Sequence, residues 1–246
     1  MDKTILITRP KGDEQGQTIA LQTHGYRVIH EPLMDIILCH QERYNVHRAL
    51  EEDPDAILVT SRHGVQALAI LTEIRDPYVI CVGDSTARAA ESAGFNRITS
   101  AGGNAKLLMQ HVLSCYDEGS KFLYISGDHV RVDLATALGK AGMRVERLVA
   151  YESVAAEELS DTVIEQLRRG QIDGVTFLSQ RTAEIFLQLL EKHGIFEAIE
   201  NLRAFCMSEA VADVLQQFSW KSVHVAADAT LASLVNSIDN VFLANG

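Results

Sequence analysis

The sequence predicts an α/β protein of two similar parallel-sheet lobes, produced by internal duplication and joined by a two-stranded linker, with a cleft between them. Three observations predict it. The chain repeats itself at a shift of about 118 residues. Short apolar runs of strand length alternate with amphipathic stretches of helix length, the pattern of βα units with parallel strands. Two long extended runs, Glu31–Leu38 and Leu148–Val154, break that rhythm at equivalent places in the two copies.

The repeat is explicit. Lys3–Arg9 (KTILITR) lies against Lys121–Gly127 (KFLYISG), and His24–Val28 against Ala141–Val145. Asp55–Ser61 lies against Asp173–Ser179, and Cys81–Ala87 against Cys206–Ala212. Asn104–Val112 then faces Thr230–Ile238. A repeat of this length is two copies of one α/β unit, not a solenoid.

The first copy reads as strands at about Thr4–Thr8, Arg27–His30, Ala56–Thr60, Tyr78–Val82 and Asn96–Ser100. The second gives Phe122–Ser126, Arg144–Arg147, Gly174–Leu178, Ala204–Met207 and Ser222–Ala226. Val65, Leu68 and Leu71 keep an apolar helical face after the third strand, as Ile185, Phe186, Leu189 and Leu190 do in the second copy. Gly25, Gly94, Gly142 and Gly194 stand where helices should end. The extended runs read as chain crossings at about 31–38 and 148–154. Crossed lobes would hold 1–36 plus 153–246 and 38–147; a single cut near residue 118 is the competing division.

With 47% hydrophobic and 22% charged residues the composition is that of a globular protein. No apolar run approaches the roughly 18 residues of a membrane span. The opening apolar stretch is too short for a signal core, so the expected place is the cytoplasm. Cys39, Cys81, Cys115 and Cys206 lie far apart, against zinc and against a disulfide framework. A net charge of −11 argues against nucleic acid as a partner. A polyanionic small molecule would need donors gathered locally.

Small hydroxyl residues supply such donors just past the carboxyl ends of strands: Thr8, Ser61, Ser85 with Thr86, Ser126, Ser179 and Ser208. Ligands of open parallel sheets bind outside those strand ends, where helix N-termini offer unpaired N–H groups. Plain N-capping explains any one of them, but matched positions in both copies suggest a common anion site. Thr60, Gly83, Gly127 and Gln180 share the same turns and complete the candidate substrate-binding set. Arg9, Arg62, Arg131 and Arg181 are candidate carboxylate partners, since a guanidinium fork fits a carboxylate; Arg88 reads as solvated charge. There is no Gly-x-Gly-x-x-Gly, no P-loop, no Gly-x-Ser-x-Gly and no metal-ligand spacing among the histidines. The chain reads as one that binds and orients.

At these residues it resembles the uroporphyrinogen-III synthase family over nearly its full length. The resemblance rests on Ile7–Pro10, Thr60–Val65, Val82–Ala87, Gly102–Leu107, Leu138–Val145, Val149–Glu152 and Phe177–Ser179, in that order. It departs at His63, where the family often has Asn, and at Ser208–Ala212, which lacks the family's glycine and threonine. The resemblance implies crossed lobes joined by a two-stranded ribbon, and no cofactor. It implies cyclising dehydration of hydroxymethylbilane, a linear tetrapyrrole with eight carboxylates, to uroporphyrinogen III with inversion of the last ring. Tyr151 matches the crossing-strand tyrosine that the family places near the departing hydroxyl, and Thr86 the threonine of the fourth turn; both are the expected catalytic residues. Ser61 and Ser179 match its paired lobe serines. The upstream bilane-forming enzyme is the expected protein partner, and nothing in the sequence demands a dimer. The competing function is a non-catalytic two-lobe binding or sensor protein for a polyanionic small molecule.

Overall fold

In the computed structural model, which describes residues 3–130 and 132–243, the chain divides into two compact units. Unit 1 comprises Met1–Asp35 with Val154–Gly246, and unit 2 comprises Ile36–Ser153.

The sheet of unit 1 contains β1 (Thr4–Ile7), β2 (Arg27–His30), β9 (Gly174–Phe177), β10 (Arg203–Cys206) and β11 (Ser222–Val225), in the order β11-β10-β9-β1-β2. All its neighbours run parallel. The sheet of unit 2 contains β3 (Met34–Leu38), β4 (Ala56–Val59), β5 (Val79–Cys81), β6 (Ile98–Ser100), β7 (Lys121–Gly127) and β8 (Arg144–Ala155), in the order β3-β8-β7-β4-β5-β6. From β8 to β6 every pairing is parallel. Central strands β4 and β9 are buried on both faces, as covered parallel sheets require.

Helices connect the strands: α1 (Gln15–Thr23), α2 (Arg43–Glu51), α3 (Arg62–Leu71), α4 (Asp84–Ser92), α5 (Ala105–Cys115), α6 (Leu134–Lys140), α7 (Asp161–Arg168), α8 (Gln180–Lys192), α9 (Glu209–Leu215) and α10 (Leu231–Phe242). Strand alternation sends Leu6, Val175 and Phe177 into a core with α7, α8 and α9, and Ile5, Ile7 and Phe205 into one with α1 and α10. In unit 2, Ile57, Val59, Leu123 and Ile125 pack under α2, α3 and α4; Leu58, Phe122 and Tyr124 pack under α5 and α6. Gly25 and Gly142 end α1 and α6 at the same φ of +84°, where a side chain would be strained.

The two copies exchange halves. Each sheet joins the first two strands of one copy to the last three of the other, so that β1 pairs with β9 and β7 with β4. An aspartate marks each junction. Asp173 accepts the Thr4 amide at 3.0 Å and Asp55 accepts the Lys121 amide at 2.8 Å. Thr4 lies beside Arg27 just as Lys121 lies beside Arg144. Here the structure corrects the sequence alignment by one residue, because Thr4, not Lys3, is the counterpart of Lys121. Matching the lysines follows side-chain identity, whereas the hydrogen bonds fix the true register. Thr8 therefore corresponds to Ile125, a core position, and Arg9 corresponds to Ser126.

A second difference concerns the extended runs. In the first copy the run is broken between β2 and β3 at Glu31-Pro32-Leu33, where Pro32 has no N–H for a ladder. In the second copy it continues without interruption as β8. Strand β3 lies beside β8, with the Cys39 amide donating to Ala150 O and the Ala156 amide to Leu33 O, both at 3.0 Å. Numbers rise along one strand as they fall along the other, so this pair is antiparallel. The buried Glu31 carboxylate accepts both the amide and the hydroxyl of Ser160, each at 2.7 Å, at the start of α7.

Cys39, Cys81 and Cys206 are buried and Cys115 is exposed. Burial pushes the Cys81 and Cys206 thiols up to about 12 and also raises that of Cys39. At pH 8 a thiol reagent is therefore expected to label Cys115 alone in the native protein and all four thiols in denaturant. Fast native labelling of two or more thiols would contradict this packing.

Candidate active site

In unit 2 the carboxyl ends of β4, β5, β7 and β8 lie side by side. Ser61, directly after β4, is extended and caps α3, its Oγ accepting the Gly64 amide at 3.0 Å. A Cβ on Gly64 would stand 2.9 Å from Val59 Cγ1 and 3.3 Å from Ile125 O. Glycine thus lets the start of α3 press onto the sheet. The Tyr151 hydroxyl meets Ser61 Oγ at 2.8 Å, and its ring stands edge-on to His63 with centroids 5.7 Å apart.

A β-bulge aims Tyr151. Ser126 lies beside Val149 but Gly127 lies beside Tyr151, so β8 carries one extra residue, Ala150. A Cβ on Gly127 would come within 2.7 Å of two atoms of the Tyr151 ring and 3.0 Å of its hydroxyl. The ring therefore lies directly on the Gly127 backbone. Tyr151 is 8% exposed. Burial raises its phenol above the ordinary value, and the Ser61 hydrogen bond offsets part of that. At neutral pH it is a proton-bearing donor, not a base.

Thr60, Ser61, Gly127 and Tyr151 line a hollow of about 570 Å³ together with Tyr124, Asn104, Lys106 and His129. Among the described residues no Asp or Glu lines it, although the chain holds 33 acids against 22 bases. The Tyr124 hydroxyl lies 3.2 Å from Thr60 Oγ1. Asn104 caps α5 by accepting the Leu107 amide at 3.0 Å, so α3 and α5 both start at the hollow's rim. Their dipoles and Lys106 make it a place for an anion. A hollow of about 610 Å³ also exists at the amino ends of β7 and β8. Its lining holds Glu52 and Glu146, both paired with Arg48, beside Lys121 and Arg144, and no hydroxyl; it lies at the opposite strand ends from Tyr151 and the capping residues.

Gly83 caps α4 with its main chain alone, beside Gly103; a Cβ there would lie 2.8 Å from Gly103 Cα. Thr86, in the first turn of α4, is buried, with its amide bonded to Gly83 O at 3.0 Å, while Ser85 is exposed. Neither lines the hollow. Arg62 opens α3 and is half-buried.

In unit 1 the ends of the adjacent strands β1, β9 and β10 carry Arg9, Ser179 with Gln180, and Ser208. Arg9 lies 3.7 Å from the Asp13 carboxylate. Ser179 caps α8, accepting the Thr182 amide at 3.2 Å, with Gln180 exposed in the first turn. Ser208 caps α9 without a side-chain bond.

Two expected donors are corrected. Thr8, 1% exposed, donates its hydroxyl to Thr176 O at 2.9 Å and joins strands instead of facing solvent. Ser126, also 1% exposed, donates to Gly127 O at 3.0 Å. Arg131 lies outside the described residues. Sequence reasoning missed Tyr124, Lys106 and His129 as lining residues. Lys106 carried a signal, standing two places after a capping Asn that follows two glycines.

Two duplicated parallel α/β units carry hydroxyls and helix starts at their strand tips, and unit 2 adds a buried phenol, a donor chemistry that suits an anionic ligand. Among the described residues no cluster of three or more His, Cys, Asp or Glu could hold a metal ion, and no helix is long and apolar enough to cross a membrane. The sequence profile of one family, Uroporphyrinogen-III synthase HemD, matches residues 17–236. The chain belongs to that family. It is 22% identical over 245 residues to the porphyrin biosynthesis protein HemD of Ruminiclostridium josui, covering 95% of this chain and 47% of that protein. The chain thus spans about half the length of this curated relative. Its fold is similar to that of uroporphyrinogen-III synthetase from Helicobacter pylori, at TM-score 0.66 and 16% identity, over 98% of this chain and 100% of the other. A mutant uroporphyrinogen III synthase from the extremely thermophilic bacterium Thermus thermophilus aligns at TM-score 0.60 and 17% identity, over 98% and 99% of the two chains.

Proposed function

We propose that this protein converts hydroxymethylbilane to uroporphyrinogen III in the cytosol, using the strand tips of its units as donor surfaces. One observation carries the reading: a donor-lined hollow with no acid among its described lining, in a chain of net charge −11, ends on a buried phenol held by Ser61. The substrate's carboxylates match helix starts, hydroxyls and Lys106, with Arg9, Ser179, Gln180 and Ser208 as donors on unit 1. The substrate hydroxyl must leave as water, taking its bonding pair and gaining a proton. If Ser61 donates to the Tyr151 oxygen, the phenolic proton is free to point at that leaving group. Attack must then occur at the substituted carbon of the last ring, which is a matter of holding the chain in one conformation. The enzyme that forms the bilane is the proposed partner, since a substrate that closes by itself gains from direct transfer.

The test is to supply freshly made bilane and separate the type III from the symmetric type I ring. Tyr151→Phe should lower kcat by on the order of 10²-fold, the loss typical of a proton donor, with KM nearly unchanged. Between pH 7 and 9 the wild-type kcat should not fall through loss of the Tyr151 proton, because burial raises its pKa above the ordinary phenol value. Production of type I alone would leave the protein a binder of anions. An unaltered kcat in Tyr151→Phe would assign that residue to structure.

A further inference from the structure

Arg147 sits on β8 beside Tyr124, four residues before Tyr151. Its guanidinium spends its donors on three consecutive residues at the tip of β7. Nε donates to Ser126 Oγ at 2.8 Å, and Nη2 donates to Gly127 O at 2.9 Å and to Asp128 O at 3.1 Å. These acceptors flank the bulge, where an extra residue puts ladder donors and acceptors out of step and leaves carbonyls to be satisfied by other groups.

The bulge decides where Tyr151 points. Leu148 and Ala150 face the core under α3, while Val145, two residues before Arg147, packs on the opposite face. Strict alternation would put Tyr151 on the face of Val145 and Arg147, away from Ser61. With Ala150 inserted, Tyr151 joins Leu148 and Ala150 in the core under α3 and reaches the helix cap. The distorted tip is closed further by the Asp128 amide donating to Tyr151 O at 3.1 Å and the Ser153 amide donating to Asp128 Oδ1 at 3.0 Å.

We infer that Arg147 is a positioning residue for Tyr151: it supplies the donors that the bulge lacks and holds the strand in the form that turns the phenol toward Ser61. This rests on the reading of Tyr151 as the proton donor. A lysine has the charge but not the planar fork, and cannot span the same three acceptors.

The experiment compares Arg147→Met, Arg147→Lys, Tyr151→Phe and the double variant Arg147→Met/Tyr151→Phe in the full chain. Arg147→Met should lower kcat by on the order of 10²-fold, as small displacements of a reacting group do, while KM changes little. In the Tyr151→Phe background the same change should cost nothing more, whereas a merely structural role would multiply the two losses. Arg147→Lys should fall between wild type and Arg147→Met, and serves in its place should the methionine variant fail to fold. Amide exchange gives a readout independent of activity: the Asp128 and Ser153 amides should exchange faster in the Arg147 variants. Unchanged kcat, multiplied losses, or unchanged exchange at both amides would overturn the inference. Should Tyr151→Phe keep wild-type kcat, the reading of Tyr151 fails instead, and exchange at the two amides alone decides whether Arg147 holds the bulge.

Discussion

Gly127→Ala is expected to reduce kcat by on the order of 10²-fold, because displacement of a reacting group by about 1 Å carries a loss of that size. The added methyl would begin 2.7 Å from two ring atoms of Tyr151, well inside contact distance. Neither side yields cheaply. The ring is bounded by His63 and fixed at its far end by Ser61, and the Gly127 backbone is part of the sheet. Overpacking of this kind costs about 1–3 kcal/mol of stability. The check is kcat with fresh bilane beside a urea unfolding curve. A variant that keeps wild-type turnover would show that the phenol's placement on Gly127 does not matter to the reaction.

Phe177→Ala is expected to cost about 3–5 kcal/mol, the range for truncating a buried aromatic. That is a large share of the roughly 5–15 kcal/mol that a domain possesses. Phe177 is fully buried on β9, with ring centroids 5.4 Å from Phe186 and 6.1 Å from Trp220. Trp220 is the chain's single tryptophan, so its fluorescence reports on unit 1. The urea midpoint followed at Trp220 should drop sharply in this variant. An unshifted midpoint would contradict the packing of Phe177 on Trp220.

The sheets were legible because their strands are short apolar blocks cut off by helix-ending glycines such as Gly25 and Gly142. The duplication was legible through Asp55 and Asp173, which recur because each anchors the amide of a neighbouring strand. The one-residue slip at Lys3 was not legible, since identity of side chains says nothing of main-chain register. Thr8 illustrates the consequence: its position falls in the core layer, where a hydroxyl must bond a carbonyl. The bulge at Ala150 was equally hidden, because an apolar residue in an apolar strand carries no mark of being supernumerary. Tyr124 and His129 come to the hollow from β7 and the turn after it and Lys106 from the start of α5, and only the ordering of strands brings those two segments together.

The exchange of halves between the copies also governs how the chain emerges during synthesis. Unit 2 is drawn from one uninterrupted stretch and can close while the rest is still being made. Strands β1 and β2 have a different history: β1 waits for β9, more than 160 residues later. At about 5–20 residues per second that is a delay of some ten to thirty seconds. For that time two strands with open edges stand without their central partner, and this leading segment is where a nascent-chain chaperone has the most to guard.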